Sequence, residues 1–148
     1  MIRFDDSSRP YFAERLLPFV KKMVEDGIVP QQADMLALGY SYALTRGLKP
    51  LGKVKQQVFA TNVLVIGPHM RLAFAATAPK AARDVGEEPP KDSKELLSFV
   101  CRLGSAGIEQ LQKEWKDRSK SQMLQFIMKL VEDVQASPSA SGESVAPS

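Results

Sequence analysis

The chain has 148 residues, of which 44% are hydrophobic and 25% are charged, and its formal net charge is +3. The length fits one domain, and no apolar run approaches the ~18 residues that span a bilayer, which excludes a membrane partner. We therefore expect one domain over residues 10–135, between a polar lead-in at residues 1–9 and a tail at residues 136–148, whose Ser, Ala and Pro content predicts disorder.

Two features of the sequence indicate where the protein works. Asp5 and Asp6 stand where a secretory signal would have basic and apolar residues. Cys101 is the only cysteine, so it cannot form an internal disulfide, which agrees with a reducing compartment. We expect a cytoplasmic protein.

Basic residues are concentrated in the middle of the chain. From Met35 to Arg83, 49 residues contain no Asp or Glu but seven Lys or Arg. Residues 1–34 carry five basic and six acidic side chains, and residues 84–148 carry eight and eleven. A one-signed segment of this kind attracts polyanions or acidic protein surfaces, so the charge indicates a class of partner rather than a reaction.

The first predicted helix follows the polar lead-in. Apolar residues from Phe12 to Val24 recur with a helical period, and Pro10 suits a first helical position. Because Pro18 lies inside this pattern, the helix either kinks there or begins anew at that residue. Asp26-Gly27 predicts its end, since glycine accepts a left-handed backbone.

The second predicted helix begins near Pro30 and runs to Arg46. Gly47 is expected to end it, and Pro50 prevents its continuation. Its many small residues allow close approach of a neighbour, so we expect this helix to be central to the packing.

The next region is ambiguous. Residues 58–66 form a β-branched apolar run that fits one short strand or a buried helix. A short buried helix is expected from Met70 and should end before Pro79, and residues 81–91 are predicted to be a loop.

Two further helices complete a mainly α fold of about five helices. Asp92 and Glu95 have the spacing of a capping box at the start of the first. Gly104 and Gly107 predict a break in this helix or a tight helix crossing. Ser119 or Ser121 is expected to cap the last helix.

The sequence contains no recognisable catalytic, cofactor or metal site, so we predict that the protein is not an enzyme. His69 is the only histidine, whereas zinc sites and Ser-His catalysis need several positioned groups. Cys101 lies in an apolar helical stripe and is predicted to be a buried structural thiol. Gly104 to Gly107 lacks the lysine and spacing of a phosphate-binding loop, and Glu87-Glu88 is interpreted as solvated charge.

The connector after the second helix is the candidate binding site for nucleic acid or a partner. Its basic residues could contact phosphates, and two nearby tyrosines could stack on bases. The alternative is that the charges are ordinary solvated loop residues and that the tyrosines point into the core. The candidate residues are Arg46, Lys49, Lys53, Lys55, Tyr40 and Tyr42.

Two stretches of the chain have a characteristic order. Residues 19–51 end in a basic Gly- and Pro-containing turn, and residues 97–115 contain a small-residue segment. The features are Ala37, Gly39, Tyr40, Gly47 and Pro50 in the first stretch and Gly104, Ser105, Ala106, Gly107 and Ile108 in the second. Together the two stretches resemble a family of small bacterial proteins associated with DNA phosphorothioation (Dnd) systems.

The resemblance implies a cytoplasmic, non-enzymatic accessory protein of a DNA-modification or anti-phage defence system, and it carries over no catalytic residue. Such a protein would dock on a larger protein of the complex, with its basic loop near DNA. Two alternatives remain open from the sequence. One is a direct, sequence-nonspecific DNA or RNA binding protein, and the other is a purely structural protein–protein adaptor.

Overall fold

The computed structural model describes residue 4 and residues 11–52, 56–58 and 68–135. In chain order the elements are strand β1 (Tyr11–Ala13), a 3₁₀ turn (Glu14–Leu16) and helices α1 (Leu17–Glu25) and α2 (Gln32–Arg46), followed by strand β2 (Gln56–Val58) and helices α3 (Pro68–Asp84), α4 (Ser93–Glu114) and α5 (Lys120–Gln135). The described part of the chain therefore has five α-helices, which confirms the predicted mainly α fold. The tail at residues 136–148 and most of the lead-in lie outside the described residues.

The beginning of the first predicted helix is wrong, because Tyr11–Ala13 is a strand. β1 pairs with β2 in antiparallel register, with Phe12 opposite Gln57. On the side facing α4, the backbone N–H of Tyr11 donates to Cys101 Sγ at 3.4 Å, and that of Ala13 donates to Ser105 Oγ at 3.1 Å. These tertiary hydrogen bonds satisfy two backbone N–H groups that the first turn of a helix beginning at Pro10 would have left without an internal partner.

The second alternative at Pro18 is confirmed, because α1 begins at Leu17 with the proline in its first turn. This position needs no intrahelical N–H partner, so proline costs little there. Gly27, with φ 74°, follows the end of the helix as predicted.

Helix α2 has the predicted end and a well-formed start. Gln31 caps the first turn in a reciprocal capping box with Asp34, and the Gln31 N–H donates to Asp34 Oδ2 at 3.0 Å. Gly47 ends the helix in a left-handed conformation with φ 65°. Within the helix the side chains of Met35, Leu36 and Ala43 are buried, so α2 is central to the packing, as expected.

The predicted end of the third helix before Pro79 is wrong, because α3 continues through this proline to Asp84. Buried side chains on both sides of the proline, Phe74 and Ala75 before it and Ala82 after it, belong to the same core cluster. Their burial outweighs the hydrogen bond that proline removes. The loop therefore begins four residues later than predicted, after Asp84.

The start of α4 and that of α5 follow the predicted capping. Asp92 Oδ1 accepts the N–H of Glu95 at 2.8 Å, although the Glu95 carboxylate accepts the N–H of Lys91 instead of that of Asp92. Ser119 Oγ accepts the N–H of Gln122 at 3.2 Å. Of the two predicted caps for α5, Ser119 is the one that the structure uses.

A tight crossing of α2 and α4 forms the centre of the fold, and α4 is continuous through both of its glycines. A Cβ atom on Gly107 would overlap the backbone carbonyl of Gly39 and lie 2.8 Å from its Cα. A Cβ atom on Gly39 would in turn overlap the Gly104 carbonyl oxygen. The crossing, rather than a break, is the reason for these glycines.

Two clusters of buried side chains surround this helix pair. α5 contributes Leu130 to the first, which also contains Phe12 and Trp115. α3 contributes Phe74 to the second, which also contains Phe99. α3 and α5 therefore pack on different parts of the α2–α4 pair. Of the ambiguous segment 58–66, only Val58 is described and it lies in β2; the remainder lies outside the described residues.

Candidate polyanion-binding cleft

The two tyrosines predicted to stack on bases are both buried, so this part of the candidate site is wrong. Tyr40 is 2% exposed, and its ring lies 4.7 Å from that of Phe74. Tyr42 is 1% exposed, and its ring lies 5.5 Å from that of Phe126. The alternative interpretation, in which the tyrosines point into the core, is confirmed.

Both tyrosines are held as neutral phenols. Burial raises the pKa of Tyr40 to about 12, and its hydroxyl is hydrogen-bonded to Thr77 Oγ1 at 2.7 Å. Burial also raises the pKa of Tyr42 to about 12, helped by the Glu114 carboxylate, which accepts the Tyr42 hydroxyl proton in a hydrogen bond. Ionisation of Tyr42 would place a second negative charge beside Glu114, and ionisation of Tyr40 would place an unsolvated charge inside the fold.

The predicted basic residues are divided between a described and an undescribed segment. Arg46 is the last residue of α2, and its guanidinium carbon lies 5.4 Å from the centre of the Tyr42 ring. Lys49 is exposed in the loop that follows. Lys53 and Lys55 lie outside the described residues, so their part of the site stays a prediction.

Arg46 lies at the mouth of a cleft of about 460 Å³ where the ends of α2 and α4 meet α5. We call this space the basic cleft. It is lined by Arg46, Glu114, Arg118, Gln122, Gln125, Phe126, Lys129 and Leu130.

The charge of the basic cleft is mainly positive. Arg46, Arg118 and Lys129 face one carboxylate, that of Glu114, which already accepts a hydrogen bond from Tyr42. The Arg118 guanidinium carbon lies 5.8 Å from the centre of the Phe126 ring. None of the ion pairs found among residues 11–52 and 68–135 involves the three cations of the cleft. Their charge is therefore available to an anionic ligand.

Sequence reasoning missed Arg118 and Lys129, because both lie in a segment with an overall excess of acidic residues. Arg118 comes four residues after α4 ends, and Lys129 is on α5, so neither belongs to the basic middle of the chain. The usable signal was the position of Arg118 beyond the end of an amphipathic helix. The tertiary packing, which no local pattern contains, brings Arg118 and Lys129 to the same cleft as Arg46.

The loop after α2 is anchored to α4 by Arg102. The Arg102 side chain donates to Leu51 O at 3.2 Å, and the Leu51 N–H donates to Arg102 O at 3.2 Å. The same guanidinium makes two hydrogen bonds to the Glu87 carboxylate, at 3.0 and 3.2 Å. The interpretation of Glu87 as solvated charge is therefore wrong, because this residue holds the arginine that fixes the loop.

The remaining candidate groups are structural where the structure describes them. Cys101 is fully buried, as predicted, and burial raises the pKa of its thiol to about 12, so the thiol stays protonated. Gly104 and Gly107 serve the helix crossing. Within the described residues, no three His, Cys, Asp or Glu side chains are grouped as metal ligands would be. His69 lies in the first turn of α3, and its side chain is outside the described part.

Comparison of the chain with protein-family models, with curated proteins and with solved structures finds no match. Among the described helices, none combines the length and the apolar character needed to cross a membrane.

Proposed function

We propose that this chain is a non-enzymatic accessory protein that binds nucleic acid through the basic cleft and the adjoining loop at Lys49. The observation that carries the proposal is the convergence of Arg46, Arg118 and Lys129 on one concave surface from three separate segments. The resemblance to Dnd-associated proteins supports a bacterial DNA-modification or anti-phage defence assembly as its setting, where it would dock on a larger protein.

Phosphate contacts of this kind give affinity without sequence preference. Lys and Arg release condensed counterions when they neutralise phosphates, so binding weakens as salt rises. Contacts from Arg46, Lys49, Arg118 and Lys129 would give a log–log salt slope of about −3.6 on duplex DNA. This value is modest, which agrees with an accessory contact in a larger assembly rather than a stand-alone DNA-binding domain.

Fluorescence anisotropy of labelled DNA across a salt series tests the proposal. The double variant Arg118→Ala, Lys129→Ala should bind more weakly and reduce the magnitude of the salt slope by about 1.8, because two phosphate contacts are lost. The matched control is Arg83→Ala, Lys94→Ala, which removes the same charge from exposed positions on α3 and α4. Equal losses in both variants, or no binding at about 50 mM salt, would contradict the proposal.

A structural protein–protein adaptor is the second candidate, and an exposed apolar pair favours it. Leu124 is 38% exposed and Met128 is 65% exposed, and the two are four residues apart on one face of α5. If the protein fails to bind DNA in the salt series, the adaptor remains as the candidate function. The basic loop of the protein would then contact an acidic surface on a protein partner. A genomic locus without modification or restriction functions nearby would contradict the proposed setting in either case.

A further inference from the structure

We infer that the basic cleft takes one unpaired nucleotide unit, with the phosphate on its cations and an amino-bearing base edge against Glu114. The inference rests on the proposed function and names the ligand of the same site. Its consequences are a preference for single strands over duplex and for cytosine over thymine.

The shape of the cleft favours an unpaired nucleotide. Its volume of about 460 Å³ lies within the range of sites that enclose small molecules. Reading duplex DNA from a groove instead needs a protruding helix or ribbon that enters a major groove ~12 Å wide. A concave site can receive a base only after that base has left the stack, as in proteins that bind flipped or single-stranded bases.

The rim of the cleft fits a phosphate. Arginine guanidinium groups pair with phosphate oxygens in a planar, two-point geometry. Arg46 lies over the ring of Tyr42 and Arg118 lies over the ring of Phe126, so both side chains are held before a ligand arrives. This ordering reduces the entropy lost on binding.

The α5 side of the cleft fits a base edge. Gln122 and Gln125 are three residues apart on α5 and therefore neighbours on its surface. Gln122 Oε1 accepts the Ser119 N–H at 2.8 Å, which leaves its amide N–H groups as donors. Phe126 and the buried Leu130 supply an apolar surface beside these amides.

Glu114 gives the site a preference among bases. Its Oε2 atom accepts the Tyr42 hydroxyl, so Oε1 is the oxygen left for a ligand. A carboxylate attracts the exocyclic amino group of cytosine but repels the O4 acceptor of thymine. The same negative charge keeps the phosphate at the rim, near Arg118 and Lys129, and so orients the nucleotide.

The test compares labelled single strands of oligo(dC) and oligo(dT), about 10 nucleotides long, with a duplex of the same length, by fluorescence anisotropy. The full chain should bind oligo(dC) about tenfold more tightly than the duplex, because only the strand can place a base in the cleft. It should bind oligo(dC) about fivefold more tightly than oligo(dT), as expected from one favourable hydrogen bond.

Two variants separate the base contact from a general loss of folding. Glu114→Gln keeps an amide oxygen as acceptor for Tyr42 but presents its N–H₂ group to the ligand. That group donates to thymine O4 and cannot accept from the cytosine amino group, so the preference for oligo(dC) over oligo(dT) should disappear or reverse. Glu25→Gln removes a carboxylate from an exposed position on α1 and should leave the preference unchanged. An unchanged melting temperature in both variants shows that the binding measurements are made on folded protein.

The outcomes distinguish this inference from the proposed function. Equal affinity for oligo(dC) and oligo(dT), or duplex binding as tight as single-strand binding, overturns the inference but leaves nucleic-acid binding standing. Failure to bind any of the three polymers overturns both. An unchanged preference for oligo(dC) over oligo(dT) in Glu114→Gln also overturns the inference, because a residue other than Glu114 would then distinguish the two bases.

Discussion

Helix α2 has two interfaces of opposite character. Against α4 it packs through glycines, with backbone against backbone and no side chain between Gly39 and Gly107. Against α5 it leaves a cleft lined by arginine, lysine and glutamine side chains. The helix therefore has two tasks, since the closed interface supplies stability and the open interface presents charge.

The two tyrosines of α2 show the same division on a smaller scale. Tyr40 bonds to the neutral hydroxyl of Thr77 on α3, within the closed part of the fold. Tyr42 bonds to the carboxylate of Glu114, and its ring lies beneath the Arg46 guanidinium; both of these partners line the cleft. Both buried hydroxyls have a hydrogen-bond partner, but only that of Tyr42 bonds to a charged side chain of the cleft.

The largest effect is expected from Gly107→Ala, which breaks the closed interface. The added Cβ would overlap the backbone of Gly39, and backbone cannot turn away as a flexible side chain can. We expect the free energy of unfolding to fall by about 3 kcal/mol or more, measured by urea denaturation.

The matched control for this change is Gly52→Ala, because a Cβ there meets no described atom within 4 Å. Its effect should stay within about 0.5 kcal/mol. If Gly107→Ala is as mild as this control, the helices have room to separate and the crossing does not dominate stability.

A smaller, pH-dependent effect is expected at Tyr40. Because its pKa is raised from 10.0 to about 12 in the folded protein, its contribution to stability is full below pH 10 and is lost as the pH rises toward 12. Tyr40→Phe should be less stable than the parent by about 1 kcal/mol near neutral pH, since the hydrogen bond between the Tyr40 hydroxyl and Thr77 Oγ1 is lost. This deficit should shrink and then reverse above pH 10.

The measurement is the difference in unfolding free energy between Tyr40→Phe and the parent across this range. Tyr42 and Cys101 also have raised pKa values, but both proteins contain them, so their contributions cancel in the difference. A deficit that stays constant from neutral pH to about pH 11 would show that the phenol ionises as freely in the fold as in the unfolded chain.

Local signals predicted more of the fold than of the site. The end of α2 at Gly47 and the caps at Asp92 and Ser119 depend on nearby residues, and the sequence predicted them, whereas α2 begins at Gln32 rather than at Pro30. The strand at Tyr11–Ala13 depends on acceptors about 90 residues away, which no local pattern contains. Pro79 shows the converse, since burial on both sides of it overrides a strong helix-breaking signal.

The site was only partly predictable for the same reason. Arg46 and Lys49 were found by counting charge along the chain, whereas Arg118 and Lys129 are brought to Arg46 by the packing of α5. The two tyrosines were included in the predicted site because they lie near these basic residues in sequence. Helical geometry points both rings into the core, so proximity in sequence was misleading.

The smallest effect on stability is expected where the effect on binding is largest. Arg118→Ala and Lys129→Ala remove exposed side chains outside the ion pairs of the described chain, so each should change the free energy of unfolding by less than about 1 kcal/mol. Arg118 should be nearer to this limit, because its variant also loses an exposed cation–π contact with Phe126. Urea denaturation beside the DNA titrations measures both quantities on one preparation. If either variant is strongly destabilised, the side of α2 that faces α5 also supplies stability. The assignment of stability to the α4 side alone would then be wrong.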